Sequence, residues 1–370
     1  MMKQGLCISI LRARLTNYIK EMKHSISAYL ISVFFIMGCI SPQPLPQIVE
    51  TEANDTLTFH KVDSIELWCT HDMTIRNHCL VIADYCQKEK LYFYRLNDFQ
   101  FLKSTGRAGK GPQDFKFPFF LKGANVASDE LLIYDAELAK CKTFRINPTS
   151  TDSLVYWVKE TKIPAEVIAS TDMAQIENTF YGSQDSGKGM FFIHPIESDR
   201  VEWVPYPPSI PNYEEAPEAN LSVKQNRITV NPNKKRIATA MKFYNQLFLY
   251  NTKGEVLKGG TFREEIAPKI VNNQIDASTK IFFTQIYSTD KYIYLVLSDM
   301  HYREKASSNW QPSQVAIFDW DMNHVLTLKT NIYIYSIVID SVFNRMLVLS
   351  YDKEENPELY YSNWDETLIP

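Results

Sequence analysis

Six times along this chain two apolar, strand-like segments follow one another a few residues apart. The first members are LVIADY (80–85), LLIYDA (131–136), TFYGSQ (179–184), RIATAM (236–241), YIYLVL (292–297) and RMLVLS (345–350). Their successors are KLYFYRL (90–96), KCKTFRI (140–146), GMFFIHP (189–195), NQLFLYN (245–251), SQVAIFD (313–319) and ELYYSNW (358–364). Further strand-like runs precede several pairs, as in FFLKGANV (119–126), NRITVN (226–231), FFTQIYS (282–288) and YSIVID (335–340). Others follow, as in FQFLKS (99–104), DSLVYWV (152–158) and NHVLTLK (323–329). Each unit is therefore a four-stranded meander of roughly 50 residues, a period that signals a β-propeller. Several strands are apolar at consecutive positions, as a sheet buried on both faces between neighbouring blades requires. The expected fold is all-β: a six-bladed β-propeller of four-stranded antiparallel blades.

Composition agrees. A chain that is 45% hydrophobic and 13% aromatic can bury a large core, and its 21 Tyr and 21 Phe suit pleated, half-buried strands. Asp84, Asp135, Asp185, Asp299 and Asp352 recur at the end of the second strand of their units. A row of carboxylates suggests metal or catalysis, but one Asp per repeat at a hairpin is what turn geometry favours. The last unit ends soon after its third strand, so the segment Thr56–Leu67 is expected to supply the missing outer strand and close the ring, which removes an exposed edge.

The N-terminus reads differently. From Met22, a basic start at Lys23 and His24 leads into an apolar run from Ile26 to Met37, shorter than the stretch of about 20 residues that spans a bilayer. It ends in Ile36-Met37-Gly38-Cys39, which resembles a bacterial lipobox, and Pro42, Pro44 and Pro46 follow. The chain divides into 1–38, an upstream extension plus lipoprotein signal peptide; 39–55, a Pro-rich tether; and 56–370, the propeller. Cys39 is the expected lipidation site and membrane anchor. Loss of 1–38 leaves a chain more acidic than the formal −4 of the whole, which speaks against nucleic-acid binding and against electrostatic adhesion to anionic lipid. Cys69, Cys79, Cys86 and Cys141 lack any C-x-x-C spacing, which disfavours zinc; buried thiols and one or two disulfides remain open.

The stretch STGRAGKGPQDFKFP (104–118) invites a phosphate reading that its spacing refuses. Gly106 is followed five residues later by Gly111-Pro112, with no Lys and hydroxyl after it, and no helix is expected to begin there. Its glycines are read as serving the passage between blades, where positive φ is needed. There is no G-x-S-x-G, and His71 and His78 lack H-E-x-x-H spacing, so both read as ordinary surface or strand-edge histidines.

The stretch from Gly106 through Phe115, with Pro118, is similar to the "G-x-G-P-x-[DE]-F" connector of TolB-like six-bladed propeller lipoproteins and of NHL-repeat propellers, with Gln113 at a usual glycine. The resemblance covers approximately residues 22–370. It implies the propeller fold and a cell-envelope location, probing no further into activity.

The function read from these features is an exported, lipid-anchored binding or interaction protein, an outer-membrane lipoprotein facing the periplasm. Its partner is a protein, glycan or small molecule. The alternative is a metal-dependent hydrolase or lactonase with its site in the central channel, which needs several carboxylates, Asn or His from different blades. The innermost strands recognised above supply few, and no cofactor is expected. Interblade connectors and the loops between second and third strands emerge on one face, so Arg107, Lys110, Tyr213, Tyr302, Arg303 and Trp310 are the candidate partner-binding residues.

Overall fold

A computed structural model describes residues 44–369, except 52–53, 124–127, 150–152, 186–187, 265 and 304–309 and the side chains of Asn54 and Asp299. Cys39 and the segment 1–38 lie outside the described residues. From Leu45 onward the chain forms one compact unit.

That unit contains six four-stranded antiparallel blades. Their inner strands are Thr70–Arg76, Pro118–Phe120, Ser170–Ile176, Asn226–Asn231, Lys280–Ser288 and Ser336–Asp340. Neighbouring inner strands bond directly: Lys122 N donates to Met173 O at 2.7 Å, and Thr229 Oγ1 lies 2.7 Å from Ser288 Oγ. Apolar clusters fill the gaps between blades. Val81 and Phe93 of blade one meet Ile133 and Phe144 of blade two. The ring closes where Val338 and Leu347 of blade six pack with Met73 and Ile82 of blade one.

The sixth blade is completed as the sequence predicts. His60 and Lys61 pair antiparallel with Tyr361 and Tyr360, and the flanking Phe59, Val62 and Ile65 are buried. Within the stretch 39–55, expected as a tether, the described residues have further structure. Gln47–Ile48 adds a parallel strand to the outer edge of blade four, and Asn54–Leu57 adds one to blade five. Glu50 holds Arg263 through two bonds of 2.9 and 2.7 Å, which pins this strap to the rim. Its prolines hid the alternation that would have marked it as sheet.

Two inner strands went unrecognised in the repeat pattern, those of blades one and three. They begin Thr70-His71-Asp72 and Ser170-Thr171-Asp172, polar triplets that interrupt an apolar run, yet Asp72 and Asp172 are buried.

The glycine-rich connector is filled by its own residues. Gly106 has φ +81°, and a Cβ there would stand 2.6 Å from the Phe115 ring, which is fully buried between blades one and two. Lys142 Nζ donates to the carbonyls of Gly111 and Asp114, while Asp114 Oδ2 accepts from Gly111 N at 2.8 Å.

Candidate binding site at the channel mouth

In a four-stranded meander the inner strand starts where the interblade connector arrives, and the loop between strands two and three returns to the same side. On that face the central channel opens into a cavity of about 340 Å³ between the inner strands of all six blades. Its acids and His71 come from the strands that the apolar pattern missed, while Lys122, Arg227 and Gln285 come from runs that it found.

Both β-strands that carry the acids bulge just before them, between Thr70 and Asp72 and between Ser170 and Asp172. A bulge re-aims the following side chain. Asp72 Oδ2 accepts from Phe120 N at 2.8 Å, and Asp172 Oδ2 accepts from Ile228 N at 3.4 Å. Each carboxylate therefore satisfies an inner-strand amide of the next blade, where no further strand is available to do so. A cation faces each acid at the same spacing: Lys122 Nζ is 3.6 Å from Asp72 Oδ1, and Arg227 Nη1 is 3.6 Å from Asp172 Oδ2. The acids are nearly buried (6% and 4% side-chain exposure), whereas Lys122 and Arg227 keep 18% and 26%. The cations thus front the cavity. Burial raises the Asp172 pKa, opposed by the nearby charges of Arg227 and Lys122, and the Tyr335 hydroxyl, also raised by burial, feels Arg227, Asp72 and Lys122 together. These groups share one electrostatic neighbourhood.

An aromatic wall stands beside them. The His71 ring stacks on Phe117 with centroids 4.7 Å apart and meets the Phe119 ring edge-on at 5.0 Å. Its Nε2–H donates to Pro118 O at 2.5 Å, and Nδ1 is buried on the side of the Cys69 backbone. Burial lowers the His71 pKa, so the ring is neutral near pH 7. His71 is therefore no ordinary surface histidine; His78 is, lying exposed in a turn.

The rim is held by the recurring aspartates. Asp84 accepts from the amides of Cys69 and Cys86 at 2.8 and 2.9 Å, and the disulfide Cys69–Cys86 ties the same two segments. Asp135 accepts from the amides of Lys116 and Leu138 at 2.7 and 3.0 Å. Asp352 accepts from Glu354 and Asn356, and Asp185 is exposed in its turn. These contacts are those of turns and connectors. Cys79 and Cys141 are buried thiols, their pKa values pushed by burial to about 11 and about 12.

The residues expected to form a partner face stand on connectors and second-to-third-strand loops; Tyr213, Trp310 and, through Phe243, Tyr302 border one apolar cluster, while Arg107 and Lys110 stand on the connector after blade one. Arg107 pairs with Glu89 at 3.2 Å, and Lys110 is exposed on the connector after blade one. Tyr213 packs into the core beneath the connector between blades three and four. Tyr302 is exposed with its ring 6.0 Å from Phe243, and the neighbouring Arg303 is exposed while its amide bonds Ala277 O. Trp310 alone reaches the mouth's border: it lies 4.5 Å from Tyr333 and 5.9 Å from Tyr351, whose ring meets Tyr335 at 5.1 Å. The long connectors also bind one another, since Asn273 Oδ1 accepts from Glu218 N at 3.2 Å in the short helix Pro217–Val223. They build a cap over blades four and five and leave the cavity open beside it.

Asp72, Lys122, Asp172, Arg227 and His71 were missed as a set. One signal was present, the repeated Asp-Met at 72–73 and 172–173, each following a hydroxyl residue two positions before the Asp. Among the described residues no three of His, Cys, Asp and Glu are grouped to hold a metal ion. The mouth offers acid–base pairs in place of a ligand cage.

A family profile described as TolB-like 6-blade propeller-like matches residues 56–342. Among solved structures, the crystal structure of a member of the DUF4221 family from Bacteroides vulgatus is similar, with a TM-score of 0.58 at 9% identity over 85% of this chain and 97% of that one. At that identity the likeness concerns the fold. No curated protein matches the sequence.

Proposed function

Because the chain belongs to the TolB-like six-blade propeller family, we propose that it is an exported, lipid-anchored binding protein of the cell envelope, which holds its ligand at the channel mouth. The observation that carries this reading is the cavity itself: cation donors from blades two and four converge there beside an aromatic wall, on the face that also bears the longest loops. Concave sites with a few convergent polar groups are where propellers and other rigid scaffolds hold small partners.

The location rests on two supports. The lipobox at Cys39 is one. The disulfide Cys69–Cys86 is another, since such bonds persist in oxidising compartments. A lipid on Cys39 would be the anchor. Outer-membrane attachment facing the periplasm is the proposed placement. Fractionation tests it: wild type should sediment with the outer membrane and Cys39→Ser should be released to the soluble fraction. Retention of Cys39→Ser in washed membranes would refute the anchor.

A further inference from the structure

The cations of the mouth stand beyond hydrogen-bond reach of their acids. Asp72 and Asp172 are already occupied by backbone amides. Lys122 Nζ and Arg227 Nη1 each stand 3.6 Å from the acid they face, beyond hydrogen-bond distance, while Arg227 Nε donates to Thr284 O at 3.1 Å. Both cations therefore front the cavity with N–H groups that their acids do not take up.

We propose that the mouth is a site for a small organic monocarboxylate with a flat or ring-shaped body. The carboxylate takes donors from Lys122 and Arg227, and the body lies along His71, Phe117 and Phe119. Two acids stand beside the two cations, so a monoanion leaves the mouth one charge negative and a phosphate dianion two, which disfavours phosphate. The volume of about 340 Å³ sits at the small end of ligand pockets. This assignment rests on the reading of the mouth as the binding site and adds the ligand's chemistry to it.

The test uses the full-length protein in detergent and titrates benzoate, 4-hydroxybenzoate and galacturonate by calorimetry, with benzyl alcohol and inorganic phosphate beside them. At least one carboxylate should bind saturably, and benzyl alcohol and phosphate should not. Arg227→Gln should weaken binding roughly 10- to 100-fold, the loss typical of a charged hydrogen-bond partner. Because that change strands Asp172, Phe117→Leu provides a second arm: it keeps the charges, removes the stacking face, and should weaken binding severalfold while the protein stays folded. Absence of binding by all three carboxylates, equal binding of benzyl alcohol, preference for phosphate, or binding indifferent to Phe117→Leu would each overturn the assignment. Fractionation of Cys39→Ser is independent of these outcomes, so the location and the ligand class fail separately.

Discussion

His324 shows how much one ring nitrogen can hold. Its Nδ1 accepts from Thr51 N at 3.0 Å, which fixes the proton on Nε2, and Nε2–H donates to Thr327 Oγ1 at 2.8 Å. Thr327 Oγ1 in turn donates to Glu50 at 3.1 Å. The rings of Phe262 and Phe318 lie against the imidazole, and Glu50 and Arg263 are the charges that face it. Burial first, and Arg263 after it, lower the His324 pKa below its ordinary 6.5, while Glu50 pulls it back. A depressed folded-state pKa means the stabilisation is complete above 6.5 and is lost as pH falls through the lower, folded value. Protonation also turns Nδ1 from acceptor to donor and removes the Thr51 bond. The strap at Thr51 should therefore lose amide protection as pH falls below 6.5 while the blade cores keep theirs. Intrinsic exchange slows on acidification, so relative protection of Thr51 that stays unchanged until the blade cores themselves open would dismiss this role.

At the scale of elements, each blade is made cohesive by meander pairing, and the rim of blade one by a covalent link. Cys69 and Cys86 are separated by 17 residues, and closing a loop of that size stabilises by about 3 kcal/mol in the chain-entropy account. Replacing both by Ser should lower the unfolding free energy by roughly that amount. It should also loosen His71, which follows Cys69 by two residues, so carboxylate affinity at the mouth should drop together with stability. Denaturant unfolding and the same calorimetric titration measure both; a stable variant with a rigid mouth would show that the Asp84 contacts suffice. The element scale also explains which strands were readable. The middle strands of every blade are buried on both faces and announce themselves as apolar runs. The inner strands Thr70–Arg76 and Ser170–Ile176 border the channel, where hydroxyls and carboxylates are useful, and the same polarity that makes the site conceals the strand. Lys122 and Arg227 were hidden for a further reason: nothing in their local sequence tells that an aspartate of the preceding blade stands opposite.

For the whole molecule, stability depends on a ring whose two ends meet. His60–Lys61 covers the edge of blade six, and Phe59, 3% exposed, fills the cluster between blades five and six. Phe59→Ala should cost about 3–5 kcal/mol, as large-to-small core changes do. A chain beginning at Thr70 should lose both the edge pairing and that packing and unfold at much lower temperature; equal thermal unfolding of the two would contradict closure by this segment. The sequence by itself determined the blade number and the closure, because repeat period and apolar runs are local patterns in one dimension. It also determined that the Gly106–Phe115 stretch is a connector, since phosphate loops demand spacings that it lacks. Only the tertiary structure decided that the strap from Gln47 lies along two blades, that the long loops cap one side of the face, and that Asp72, Lys122, Asp172 and Arg227 form one set. These residues are separated by 50, 50 and 55 positions along the chain. A propeller places each blade's inner strand on a common axis, so charges a full repeat apart become neighbours through ring closure, a relation that no window on the sequence contains.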